Sequence, residues 1–284
     1  MYLSKISIGK IDRRWIYALS ALVILVPLIR PLGLPVAVSP ETTQAYDAIA
    51  KLASDSLVLV SFDYQPANAS QMGPLGKVLL HILNKKDIKV VTFCSFPDIT
   101  MYSESFTEAT YGASKKVYGI DYVNLGYYAG SEASLAAFCE DINAVFKTDF
   151  RGNSLASLPL MTGVSGVDDF DMVVAVNSTS GGTGTNVEMM VRQVNIAHKK
   201  DLLVATSSVS VATNMVYLQS KNIVGLLAGL NGAAELEAII KEPGEATAGM
   251  DALTTGHLLI VVFLVLGNVG HFYERKHSKG GKPR

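Results

Sequence analysis

Two cysteines in 284 residues exclude a disulfide-dense scaffold, and Cys94 and Cys139 stand in neither a CxxC pair nor any metal-ligand spacing. Whether they pair stays open, because spacing alone does not bring two Cα atoms within bonding distance; the ordinary role of a free cysteine is a small buried apolar residue. Histidine is scarce too. Of the five, His257, His271 and His277 belong to an apolar C-terminal segment or its tail, which leaves His81 and His198, both on helical stretches, and no evident base for a Ser or Cys triad. The nearest match to a nucleophile elbow, Gly163-Val164-Ser165-Gly166-Val167, lacks the final glycine, and a Walker Gly-Lys-Ser/Thr ending is missing. No excess of basic charge exists either: the net charge of -1 excludes a nucleic-acid partner, which needs a basic surface. Repeats, low-complexity tracts and long linkers are also lacking, since the polar stretches 39–43 and 242–249 are short.

What the chain has is apolar length. Hydrophobic residues make up 49% and the mean hydropathy is +0.29, high for an ordinary soluble protein, while 17% charged residues are too many for a polytopic one. Residues 258–270 carry no charge, and with polar flanks the run 256–273 approaches the roughly 18 to 20 residues that cross a bilayer. A basic tail follows, with Arg275, Lys276, Lys279, Lys282 and Arg284. At the other end Lys5, Lys10, Arg13 and Arg14 precede the apolar run 15–29, which stops at Arg30 before Pro31 and Pro35. That run is short for a span. It reads as an uncleaved anchor, with a cleaved signal peptide as the alternative. Lys and Arg mark the cytoplasmic side of short flanks, so both ends are expected inside and the middle of the chain outside, and Trp15, Tyr17, Phe272 and Tyr273 sit where an interfacial aromatic belt belongs.

The expected organisation is therefore a basic cytoplasmic N-terminus at 1–14, a transmembrane helix at 15–36, an extracytoplasmic domain at 37–254, a second transmembrane helix at 255–273 and a basic cytoplasmic tail at 274–284. Its partners are the lipid bilayer and copies of itself or other membrane-protein subunits. Within the domain, continuous apolar runs at 57–61, 88–93, 172–176 and 202–206 have the character of strands buried on both faces. Helical periodicity runs over 71–84, 131–146, 187–198, 211–219 and 233–241, and Ser105 with Glu108 has capping-box spacing for a helix to about 117. Residues 122–125 read as a short strand or extended connection, 147–171 as loop, and 223–230 as a strand or turn of helix that, with Gly225 and Gly229, offers either a packing surface or a core element. Strands alternating with helices of 10 to 15 residues predict a doubly wound α/β fold, a mostly parallel sheet with helices on both faces.

In such sheets ligands bind past the carboxyl ends of the strands, which singles out Asp63, Ser95, Asp98, Ser207, Ser208 and the stretch 178–186. Gly181, Gly182, Thr183, Gly184, Thr185 and Asn186 form a glycine-rich passage from strand to helix whose free amides suit an anion. The core 181–185 resembles the glycine-rich signature of tubulin-like GTPases, but the glycine that follows in that family is Asn186 here. Asp63 and Asp98 offer a carboxylate pair for a divalent cation, with solvated strand ends as the bland reading. Asp168, Asp169 and Asp171 precede a strand and belong to a turn at the opposite edge. Asn68 and Asn177 each open a glycosylation sequon. No catalytic residue, metal or cofactor emerges.

Ser61-Phe62-Asp63, the run from Asp121 to Gly126, the run from Leu218 to Glu237 and Gly249-Met250-Asp251-Ala252 together make the chain similar to a family of prokaryotic membrane-anchored α/β proteins. The resemblance implies the architecture and no activity. On these grounds the expected function is a non-enzymatic binding or assembly subunit; the alternative is a receptor or enzyme for a small anion or nucleotide at residues 178–186.

Overall fold

The computed structural model describes residues 12–178 and 184–278, which divide into a unit of residues 36–242 and a second unit built from the two ends of the chain. In the larger unit six strands form one sheet: β1 (Leu57–Asp63), β2 (Lys89–Cys94), β3 (Tyr122–Tyr127), β4 (Met172–Asn177), β5 (Leu202–Thr206) and β6 (Gly225–Ala228). All pairings are parallel, in the order β3-β2-β1-β4-β5-β6. Parallel strands need crossovers, and the helices that supply them bury the sheet on both faces, which is why β4 and β5 are buried at every position. The doubly wound expectation holds.

The helices of this unit are α2 (Pro40–Ala50), α3 (Ala69–Lys85), α4 (Pro97–Thr110), α5 (Glu132–Glu140), α6 (Ile142–Val145), α7 (Val187–Met190), α8 (Val211–Gln219) and α9 (Gly229–Ile240). A π-helical stretch, Val191–Ile196, continues α7. One face of β1 sends Val58, Val60, Phe62 and Tyr64 toward α3 and α4, where Phe62 meets the edge of Phe106 at 6.4 Å between ring centroids. The alternate face carries Leu59 into a second core with Phe93, Phe138, Tyr128 and Phe146, in which Phe93 stacks on Phe138 at 4.6 Å.

Several expected elements are corrected. Helix α4 begins at Pro97, not Ser105, because a proline at the first turn and Asp98 beside the positive helix end set the start there. The helix expected over 131–146 breaks at Asp141, where the Ile142 N–H donates to the carbonyl of Ser165 at 2.7 Å and the Asp141 carboxylate accepts from Asn143 to start α6. Residues 39–43, expected as linker, open α2: Ser39 caps Thr42, Pro40 follows, and Thr42, Ala45 and Ile49 bury one face. Strand β3 continues to Tyr127.

In the second unit α1 (Arg13–Ile29) lies against α10 (Glu245–Ser278). The chain leaves helical conformation at Arg30, so α1 ends well before the expected residue 36. At 17 residues it is about 26 Å long, short of the roughly 30 Å hydrocarbon core. Helix α10 begins ten residues before the expected 255, just after Pro243-Gly244, and is unbroken for 34 residues. Among the described residues one helix is long and apolar enough to cross a membrane, Glu245–Phe272 of α10, with 6% of its most apolar window buried. The buried carboxylate of Asp251 accepts the backbone N–H groups of Leu32, Gly33 and Leu34 at 2.7, 2.9 and 3.2 Å, and so ties the turn after α1 to α10.

Candidate functional site

The chain lays β1, β2 and β3 outward in one direction, then returns to place β4 on the other side of β1. The gap between the carboxyl ends of β1 and β4 is the topological switch point, where doubly wound folds open a crevice. Here Asp63 and Asn177 are register partners at those two ends. Their side chains share a face with Ser61, because residues two apart along a strand point the same way.

Asp63 is fully buried. Its Oδ1 accepts from the Ser95 N–H at 3.0 Å and from the Ser95 hydroxyl at 2.5 Å. The Ser95 Oγ in turn accepts the N–H of Thr185 at 3.0 Å, and the Thr185 hydroxyl bonds the phenol of Tyr128, itself buried just past β3. Asn177 Nδ2 closes the circuit by donating to the Thr185 carbonyl at 2.7 Å. Loss of water around Asp63 pushes its carboxyl up to about 6, against the opposing hydrogen bonds from the Ser95 hydroxyl and N–H and the opposing influence of the nearby Ser61 hydroxyl, which makes no hydrogen bond to it. Desolvation raises the Tyr128 phenol too, with the Asp63 charge adding to it. The other carboxyl oxygen, Oδ2, and the Ser61 hydroxyl are buried without a hydrogen-bond partner among the described residues.

Two glycines let the chain cross this point so closely. Gly184 has φ +88°, and a Cβ there would lie 2.5 Å from the Phe96 ring; a Cβ on Gly130 would lie 2.8 Å from the Gly184 Cα and 2.9 Å from the Thr185 nitrogen. Asn186 spends its side chain on the helix start, accepting from the Met189 N–H at 2.9 Å. So Asp63, Ser95, Thr185 and Asn186 engage one another or their own backbone. Gly181, Gly182 and Thr183 lie outside the described residues.

Asp98 is not brought to Asp63: it is exposed in the first turn of α4 while Asp63 is buried. Among the described residues no group of three or more His, Cys, Asp and Glu side chains converges as a metal site. Asp169 accepts from the N–H groups of Ser165 and Gly166 and so serves a backbone turn, and Asp171 accepts from the Leu57 N–H at the start of β1. Ser165 serves as the backbone acceptor for α6. His198 faces Asp168 at 3.1 Å and His81 faces Glu242 at 2.7 Å. Asn177 is buried, which removes it as a glycosylation acceptor in the folded chain. Cys94 and Cys139 are free and buried, and burial pushes both thiols up to about 12. Tyr128 and Asn177 are the members of the network that lie outside the candidates drawn from the sequence: Tyr128 follows β3 once that strand runs to 127 instead of 125, and Asn177 ends β4, whose apolar run stops at 176.

Fold and site thus define a Rossmann-like parallel α/β unit whose switch point is filled by its own polar side chains. No family model and no curated protein matches the chain. Among solved structures it is similar to one described as "OtsA apo structure", at 13% identity and TM-score 0.35, covering 92% of this chain and 49% of that one. It is also similar to "Trehalose-6-phosphate from E. coli bound with UDP-2-fluoro glucose", at 13% identity and TM-score 0.30, covering 92% and 51%. The chain spans about half the length of these proteins, and a likeness at this level carries no argument about activity.

Proposed function

We propose that the protein is a membrane-anchored, non-enzymatic binding or assembly subunit that works as an oligomer, with its α/β unit on the outer face of a prokaryotic cytoplasmic membrane. The observation that carries this reading is the occupied switch point. A receptor or enzyme of this fold presents polar groups to a ligand in that crevice, whereas Asp63, Ser95 and Thr185 are buried and bonded to one another.

Charge supports the orientation. Residues 36–242 hold 14 Lys and Arg against 21 Asp and Glu, while the two terminal stretches hold 10 against 4. Basic flanks stay inside, so α1 and α10 both cross and the acidic unit lies outside. At 17 residues α1 spans with its basic flank Arg13 and Arg14 at one interface if the long side chain of Arg30 snorkels to the other and the bilayer thins to match.

The test is the mass of the complex extracted in mild detergent with partners attached. A multiple of the 30.4 kDa chain, or a defined hetero-complex, is expected. A lone chain overturns it, and thermal stabilisation of that lone chain by a small anion or nucleotide supports the second reading instead. The second reading, a small-ligand receptor at the strand edge, rests on the orphaned Asp63 Oδ2 and Ser61 hydroxyl, which invite a hydrogen-bond donor.

A further inference from the structure

Helix α10 carries two different faces. From residue 252 onward its less exposed positions, 252, 255, 256, 259, 263 and 270, fall on one side of the helix, and this is the face that α1 covers: the Thr255 hydroxyl donates to the Val23 carbonyl at 3.2 Å, and a Cβ on Gly256 would sit 3.8 Å from Ile24. On the helical wheel, roughly 130° further round at 100° per residue, runs a second row: His257, Val261, Leu264, Asn268, His271 and Arg275. Every one of these is exposed. Their spacing is 4, 3, 4, 3 and 4 residues, the repeat of a coiled-coil seam. All the Asn and His residues of 256–273 fall on this row.

The chemistry of the row names its occupant. Asn268 lies six residues, about 9 Å, inside Glu274, within the apolar part of the helix. Its Nδ2 donates to the Leu264 carbonyl at 2.8 Å, and its Oδ1 has no partner among the described residues. A primary amide in hydrocarbon needs both donor and acceptor satisfied, and the group that complements it is another amide at the same depth. A second copy supplies that amide, because all copies share one orientation in the membrane and the same row meets itself in register. Neighbouring Gly267 leaves room for close approach, with nothing within 4 Å of a Cβ placed there. One asparagine in a seam also fixes register and oligomer state. Resting on the membrane-anchored assembly reading, we propose that copies of this chain associate in parallel through the His257-to-Arg275 row of α10, with Asn268 pairing across the interface.

Single cysteines introduced into the full chain at His257, Val261, Leu264 and His271, and at the off-row positions Val262 and Leu266, test this by oxidative cross-linking in native membranes; buried Cys94 and Cys139 remain in place. The expected result is a cross-linked dimer of the chain at row positions only. An Asn268→Leu variant is expected to weaken self-association on the order of tenfold, with Asn268→Gln recovering most of it. An oligomeric mass with cross-links at off-row positions, with none, or to a different polypeptide overturns this inference and leaves the assembly reading standing. A monomeric mass overturns both.

Discussion

Asp63 permits the sharpest test of the closed switch point. Its carboxyl is raised from an ordinary 3.8 to about 6 by complete burial. The folded chain therefore holds this proton more tightly than the unfolded chain does. The corresponding stability is fully present below pH 3.8 and is lost as pH rises through 6. A difference near two pH units corresponds to about 3 kcal/mol, at 1.36 kcal/mol per unit, so above pH 7 the folded state carries an ionised carboxylate at about that cost.

Asparagine is the matching perturbation. In Asp63→Asn the side-chain oxygen still accepts from the Ser95 N–H and hydroxyl, and the amide nitrogen takes the place of the orphaned Oδ2, where it can donate to Ser61. Urea unfolding of the full chain in detergent, followed by far-UV circular dichroism from pH 4 to pH 8, gives the difference between variant and wild type, in which the other titrating groups cancel. That difference is expected to favour the variant increasingly between pH 4 and pH 6.5, by about 3 kcal/mol in total, and then to level off. A flat difference, or a variant less stable than wild type at pH 8, would refute the reasoning and mean that the ionised carboxylate meets a cation or donor in the native protein.

Removing the Asp251 carboxylate with Asp251→Ala strips three N–H groups of their acceptor, and amide exchange at Leu32, Gly33 and Leu34 should accelerate at least tenfold, since each such bond contributes on the order of 1.5–3 kcal/mol. Unchanged exchange would show that other contacts hold the turn. Orientation is read with the native thiols in place: burial and a thiol pKa near 12 should leave Cys94 and Cys139 unlabelled by an impermeant maleimide on intact cells. An added cysteine at Asp98 should label there, while cysteines at Asp12 and Arg275 should label only after lysis. Labelling of Asp12→Cys in intact cells would show that α1 does not cross.

Legibility in the sequence followed how local the deciding interaction is. Strand β5 and helix α8 match their expected bounds because each is an apolar pattern closed by turn residues on both sides. The break between α5 and α6 was hidden because a carbonyl more than twenty residues away, that of Ser165, takes the Ile142 N–H; the periodicity itself runs straight through Asp141. Helix α2 had legible start signals in Ser39, Pro40 and Glu41, but a thin apolar stripe of Ala45 and Ile49. At the site, the strand-end rule located Asp63 and Ser95 but not their state, because burial depends on what lies above them. Gly184, Thr185 and Tyr128 reach that point from two distant segments.

The same glycines that made residues 181–186 read as an anion cradle also allow the opposite outcome. A glycine-rich backbone can approach a phosphate closely, and it can equally approach another protein segment. At Gly184 the neighbours decide between these uses: the Phe96 ring and Gly130 occupy the space beside it, and the Thr185 amide beyond it is already spent on Ser95. An ionised Asp63 behind that serine would repel an anion as well. Electrostatics and sterics thus point the same way at the described end of this passage, toward a crevice filled from within.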